Sequence, residues 1–136
     1  MHKAYLSLGT NIGNRKRNIS DAVALLSSMA GTVTRLSSLH ETEPWGFDSP
    51  NRFINACALL DTPLSPTDLL HATQEIEKQM GRTEKSVNGQ YHDRIIDIDI
   101  LLYDDITVDL PQLHIPHPHM HERDFVMRPL TEILQQ

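Results

Sequence analysis

The 136-residue sequence predicts an α+β fold, a ferredoxin-like βαββαβ sandwich with helices on one sheet face and the active site on the other. Three observations predict it. Apolar residues alternate with period two in Lys3–Leu8, in Phe53–Leu60 and in the run entered by Arg94, as half-buried strands require. Two intervening stretches repeat with helical spacing and stop at Gly31 and Gly81. Finally, Phe53, Asn55, Asp97 and Asp99 all fall on strand faces that the helices do not use.

The elements follow in order. In the first strand Ala4, Leu6 and Leu8 share one side, with Tyr5 and Ser7 on the other. Gly9 to Asn14 is a glycine-punctuated turn. It lacks both the lysine ending of a phosphate loop and the dinucleotide glycine spacing, so it reads as structural. Ile19, Ala22, Val23, Leu26 and Met29 then mark a helix, and Thr32–His40 a β-rich second strand. Glu41–Asn51 is a turn-rich loop carrying Trp45, the only tryptophan. In the third strand Ile54, Ala56, Ala58 and Leu60 oppose Phe53, Asn55 and Cys57. Ser65, Pro66 and Asp68 announce a second helix, with a buried stripe of Leu69, Ala72 or Thr73, Ile76 and Met80. Arg82–Asp93 is a polar connection long enough for a lid. The acidic strand places Ile96, Ile98, Ile100 and Leu102 on one face, Asp97 and Asp99 on the other. Asp104–Pro111 reads as a turn or short hairpin, and the chain closes with a histidine-rich tail and a short apolar end, Val126–Leu134.

Length fits a single domain over residues 1–136 with an adequate core. No apolar run approaches a membrane span, and no signal-peptide pattern opens the chain. Cys57 alone cannot form an internal disulfide, which suits a reducing cytoplasm. A net charge of −6 argues against a general nucleic-acid binder, and the missing aromatic RNP strand motif argues against an RNA-binding ferredoxin-like domain. No membrane and no nucleic-acid partner is expected, and the chain is expected to act as a monomer on small molecules.

Asp97 and Asp99 sit about 7 Å apart along their strand, close enough to share a cation. Hard carboxylate oxygens suit magnesium, with substrate phosphates completing its shell. Arg82 and Lys85 in the lid, Arg94 at the strand entrance and His117 and Arg123 in the tail are candidate phosphate contacts. Paired acids beside such cations are the toolkit of phosphoryl transfer. Phe53 beside Asn55 offers a plane and an amide to a flat heterocycle. A rival reading makes His114, His117, His119 and His121 a transition-metal module. The two prolines among them and the absence of a neighbouring cysteine weigh against it.

The sequence also resembles the 6-hydroxymethyl-7,8-dihydropterin pyrophosphokinase family over nearly its whole length. The resemblance rests on Leu8-Gly-Thr-Asn11, Glu41-Thr-Glu-Pro-Trp-Gly46, Phe53-Ile-Asn-Ala56, Glu77 through Gly81-Arg82, Arg94-x-x-Asp97-x-Asp99-Ile-Leu-Leu, and Ile115-Pro-His117 followed by Arg123-x-Phe125. It implies transfer of the pyrophosphoryl unit of ATP to the pterin hydroxymethyl group, releasing AMP. By this resemblance Asp97 and Asp99 would bind two magnesium ions, and Arg82, Arg94, Asp97 and Asp99 would be catalytic. Phe53 and Phe125 would sandwich the pterin, Asn55 would meet its polar edge, and Thr42 and Trp45 would close its pocket. Glu77, Arg82, Arg94, His117 and Arg123 would meet ATP. The chain departs from the commoner pattern at Glu43, Glu84, Pro118 and in Gly89–Asp93.

Overall fold

The computed structural model describes residues 1–42, 52–81, 86–87, 90–91 and 95–134, with 86–87 and 90–91 described through their backbone. The elements are β1 (His2–Thr10), α1 (Arg15–Met29), β2 (Thr32–Leu36), β3 (His40–Thr42), β4 (Phe53–Thr62), α2 (Pro66–Gln79), β5 (Ser86–Val87), β6 (Gln90–Tyr91), β7 (Asp97–Tyr103), β8 (Val108–Leu110), β9 (Leu113–Ile115), a one-turn 3-10 helix (Met120–Glu122) and α3 (Asp124–Leu134).

The main sheet runs β2-β4-β1-β7, with β3 also paired to β4, and every pairing is antiparallel. With β3 set aside, this is the ferredoxin-like strand order that the element sequence predicts. The alternation holds as the strands require. Ala4, Leu6, Leu8, Ile54, Ala56, Ala58, Leu60, Ile96, Ile98 and Ile100 join Ile19, Leu26, Leu69 and Ile76 in one buried cluster under α1 and α2. Ser65 caps α2 as its sequence announces, its Oγ accepting from Asp68 N at 3.2 Å, and the structure adds a cap for α1, where Asn14 Oδ1 accepts from Arg17 N at 3.2 Å. The glycine turn before α1 is structural. Asn18 Nδ2 donates to Ile12 O at 2.9 Å and Thr10 Oγ1 at 3.0 Å, and Gly13 takes φ 74°, where other residues strain.

The structure corrects the sequence reading in four places. The second strand is not continuous: β2 ends at Leu36 and β3 begins at His40, so Glu41 and Thr42 are strand rather than loop. Ser37 fills the break, its N donating to Cys57 O and its Oγ accepting from Cys57 N, each at 2.9 Å. In β7 the register slips: Leu6 pairs with Ile100 but Tyr5 with Leu102, leaving Leu101 as a bulge. Beyond the bulge the faces exchange. Leu102 packs on the side opposite Ile100, and Tyr103 takes the core place, its hydroxyl donating to Leu64 O at 2.7 Å. The expected lid contains a small β5–β6 pairing, Ser86 with Tyr91 and Val87 with Gln90.

The apolar end is the largest addition. It forms α3, which buries Val126, Pro129, Leu130 and Ile133, an i, i+3, i+4, i+7 stripe. That stripe meets Cys57, Leu59, Leu101 and Met120 on the sheet face away from α1 and α2. Pro129 interrupts the backbone ladder, a cost offset by this packing. Glu132 fastens the last turn: it accepts from Ser38 N at 2.9 Å and from Ser38 Oγ at 2.8 Å, and it pairs with His40 Nε2. The expected hairpin after the acidic strand is β8–β9, whose Leu113 and Ile115 extend the helix-side cluster.

Candidate active site

The half of that second face not covered by α3 gathers the residues singled out on β4 and β7, with β1 between them. Gly9 pairs with Asn55 on one side and Asp97 on the other; one step along, Ser7 pairs with Cys57 and Asp99. The amide and the two acids therefore lie in adjacent rows of one face. Asn55 is buried, and its Nδ2 donates to Thr42 Oγ1 at 2.8 Å. Thr42 pairs in register with Phe53. Thr42, Phe53 and Asn55, expected together from the sequence, are thus joined by strand pairing and one side-chain bond.

Gly9 was legible only as part of a turn, yet its place is decisive. A Cβ there would stand 3.0 Å from Asn55 Oδ1 and 3.6 Å from the Phe53 ring. The missing side chain lets the Asn55 amide lie close over β1, with the Phe53 ring beside it. A glycine inside an alternating strand is the available signal for such an approach.

Asp97 and Asp99 are both half-buried, and β7 is the edge of the sheet. Between them, the outward-facing N–H of Ile98 is taken by Glu77 Oε2 at 2.8 Å. Glu77 is buried on α2 and pins the acidic strand between its two carboxylates. The same edge receives the tail, since His117 N donates to Leu101 O at 3.0 Å. Between α2, β7 and the β9 end lies a cleft of about 210 Å³, lined among others by Gln74, Glu77, Ile98, Asp99, Leu113 and His117.

Burial first, then Arg123 and His119, lower the His117 pKa to about 4, against the opposite influence of Asp97. Its imidazole is neutral at neutral pH. Nδ1 lies 3.3 Å from the His119 backbone N–H and is placed to accept it, which leaves Nε2 as the protonated nitrogen. The Arg123 guanidinium lies over the Phe125 ring, 5.8 Å from its centroid. Arg82, Arg94 and Trp45, with Lys85 and His92 of the expected lid, lie outside the described residues.

The histidine cluster does not assemble. His114 turns to Asp109 at 3.0 Å and His119 to Glu122 at 3.2 Å, and among the described residues no three His, Cys, Asp or Glu side chains form a group able to hold a metal. The transition-metal module therefore finds no support. No helix among the described residues is long and apolar enough to cross a membrane.

These features define an α+β domain whose candidate site lies on one sheet face and along the β7 edge. The particular family follows from comparison. Residues 5–135 match the model of 7,8-dihydro-6-hydroxymethylpterin-pyrophosphokinase, and the chain belongs to that family. It is 51% identical to the 2-amino-4-hydroxy-6-hydroxymethyldihydropteridine pyrophosphokinase of Porphyromonas gingivalis, over 95% of this chain and 88% of that protein. The Bacillus subtilis protein of the same name is 45% identical over 98% of this chain and 78% of its own. Among solved structures, HPPK-DHPS in complex with substrates superposes with a TM-score of 0.74 at 15% identity. That likeness concerns the fold; it covers 98% of this chain, which spans only 40% of the larger one.

Proposed function

We propose that this chain transfers the pyrophosphoryl unit of ATP to the hydroxymethyl oxygen of 6-hydroxymethyl-7,8-dihydropterin, giving AMP and the pterin diphosphate in folate biosynthesis. The observation that carries the reading is the row Asn55–Gly9–Asp97: a buried amide and an acid flank one glycine, with Asp99 in the next row. A flat heterocycle held at the amide end has its substituent directed toward the acids.

In this reading Phe53 and Phe125 bracket the ring, Asn55 reads its polar edge, and Thr42 holds the Asn55 amide in orientation. Trp45 is assigned to the same pocket. Asp97 and Asp99 fit a magnesium site by donor chemistry. They offer hard oxygens on one face, half-buried, and phosphate oxygens would complete the coordination. Two bound magnesium ions would neutralise triphosphate charge and favour attack at the β-phosphorus. ATP is assigned to the edge cleft, where Glu77 holds β7 in place and lines the nucleotide side. The neutral His117 offers Nε2–H to a phosphate oxygen. Arg82, Arg94 and Arg123 are assigned to the phosphates, Arg82 and Arg94 at the transferring group. No side chain is assigned as general base; alignment of the hydroxyl with the leaving AMP and stabilisation of charge supply the acceleration. The reading includes a single domain working as a cytoplasmic monomer.

The test is nucleotide product analysis with ATP, magnesium and the dihydropterin. Pterin-dependent AMP from the unmodified chain, reduced about 10²–10³-fold in Asp97→Ala, is expected. ADP as the product, or no turnover by a folded chain that binds ATP, would overturn the reading.

A further inference from the structure

Three basic residues, Arg15, Lys16 and Arg17, open α1, whose first turn contains no acid. The helix dipole disfavours that arrangement, so these side chains need another reason to stand there. Arg17 has a weak partner one turn on, Asp21 at 3.8 Å. Arg15 reaches away from its own helix. Its Nη2 lies 2.9 Å from Glu41 Oε2 on β3, and its Nη1 donates to the backbone carbonyl of Arg52, at the entrance of β4, at 2.9 Å. Arg52 approaches the same acid, its Nη1 3.8 Å from Glu41 Oε1.

The two contacts of Arg15 fall at the two ends of one connection. Glu41 immediately precedes Thr42, and Arg52 immediately precedes Phe53. Thr42 and Phe53 form the last pair of the β3–β4 ladder, in which β3 supplies only His40, Glu41 and Thr42. So short an edge strand frays readily from its end. The bond between Asn55 Nδ2 and Thr42 Oγ1 lies inside that ladder and follows any movement of Thr42. A single exposed ion pair contributes little. A planar guanidinium bonded at once to a side chain of one strand and the backbone of the next is different, because a lysine's point charge cannot reproduce both bonds.

We propose that Arg15 is a positioning residue for the dihydropterin: its guanidinium ties together the strand ends that carry Thr42 and Phe53 and sets the separation in which the ring is received. The inference rests on the pyrophosphokinase reading above. Among the described residues Arg15 contacts neither Asp97 nor Asp99 and does not line the nucleotide cleft, so its influence is confined to one substrate.

The experiment is steady-state kinetics, with each substrate varied in turn, on the unmodified chain, Arg15→Ala, Arg15→Lys and Glu41→Gln, with Tm measured for each. Arg15→Ala is expected to raise KM for the dihydropterin about five- to tenfold. KM for ATP should stay within about twofold and Tm within about 2 °C. Arg15→Lys should retain most of the defect, and Glu41→Gln should show a smaller defect in the same direction. Equal rises in both KM values, full recovery by lysine, or an unchanged dihydropterin KM in Arg15→Ala would overturn the inference while leaving the activity standing. An unmodified chain that makes no pterin-dependent AMP would remove the activity reading and this inference with it.

Discussion

One face of one sheet has two different halves, and the division falls at nearly the same level on β4, β1 and β7. Along β4, Phe53 and Asn55 give way to Cys57 and Leu59; along β7, Asp97 and Asp99 give way to Leu101 and Leu102; along β1, Gly9 and Ser7 give way to Tyr5. The apolar half is covered by α3. The other half keeps an amide, two acids and a glycine that makes room for the amide. Burial of apolar area holds α3 in place, whereas the half-buried carboxylates of the other half contribute no apolar packing. The stability of the face is therefore concentrated in one half and its chemistry in the other, and substitutions in the two halves should separate these properties.

The largest expected effect is that of Asp97→Ala on turnover, already stated. Its Tm should stay within about 5 °C, because the substitution removes no apolar packing; a larger fall would mean that the acids help hold the sheet. In the apolar half, Leu130→Ala removes a fully buried α3 side chain. It should destabilise the fold by about 2–4 kcal/mol, seen as a Tm lower by roughly 10 °C. KM for the dihydropterin measured well below that Tm should hardly change. If that KM rises in step, the two halves are not separable.

Gly9→Ala tests the boundary from the other side. The new methyl group would press on Asn55 and reach the Phe53 ring, so KM for the dihydropterin should rise about tenfold with little change in Tm. An unaltered KM would show that Asn55 can move aside without loss. The smallest effect concerns His117. Its folded pKa, about 4, lies below the ordinary value of 6.5, so the unfolded chain binds the extra proton first as pH falls. The resulting stability is fully present above pH 6.5 and is lost as pH falls toward 4. Thermal unfolding followed from pH 7 to 4 should therefore decline less steeply in His117→Asn than in the unmodified chain; parallel curves would mean that the imidazole is as well solvated folded as unfolded.

Much of this division was legible in the sequence. Period-two alternation puts Asp97 with Asp99 and Phe53 with Asn55 because a strand cannot point neighbouring side chains the same way, and helical spacing sets α1 and α2, with the cap at Ser65 announcing the second. Those are local properties of the chain, and the tertiary structure kept them. What the sequence could not show depends on partners distant along it. The Leu101 bulge, which turns Leu102 away from the Ile100 side, depends on how β1 pairs with β7. The assembly of α3 over Leu59 and Leu101 depends on a surface already formed, since a short helix interrupted by Pro129 gains little before it packs. Gly9 acquires its meaning only when Asn55 and Asp97 stand on either side, and Arg15 only when Glu41 and Arg52 are brought within reach of one guanidinium. Alternation and capping follow from covalent geometry and nearest neighbours, whereas register, bulges and cross-strand contacts are decided by the competition of whole surfaces for burial.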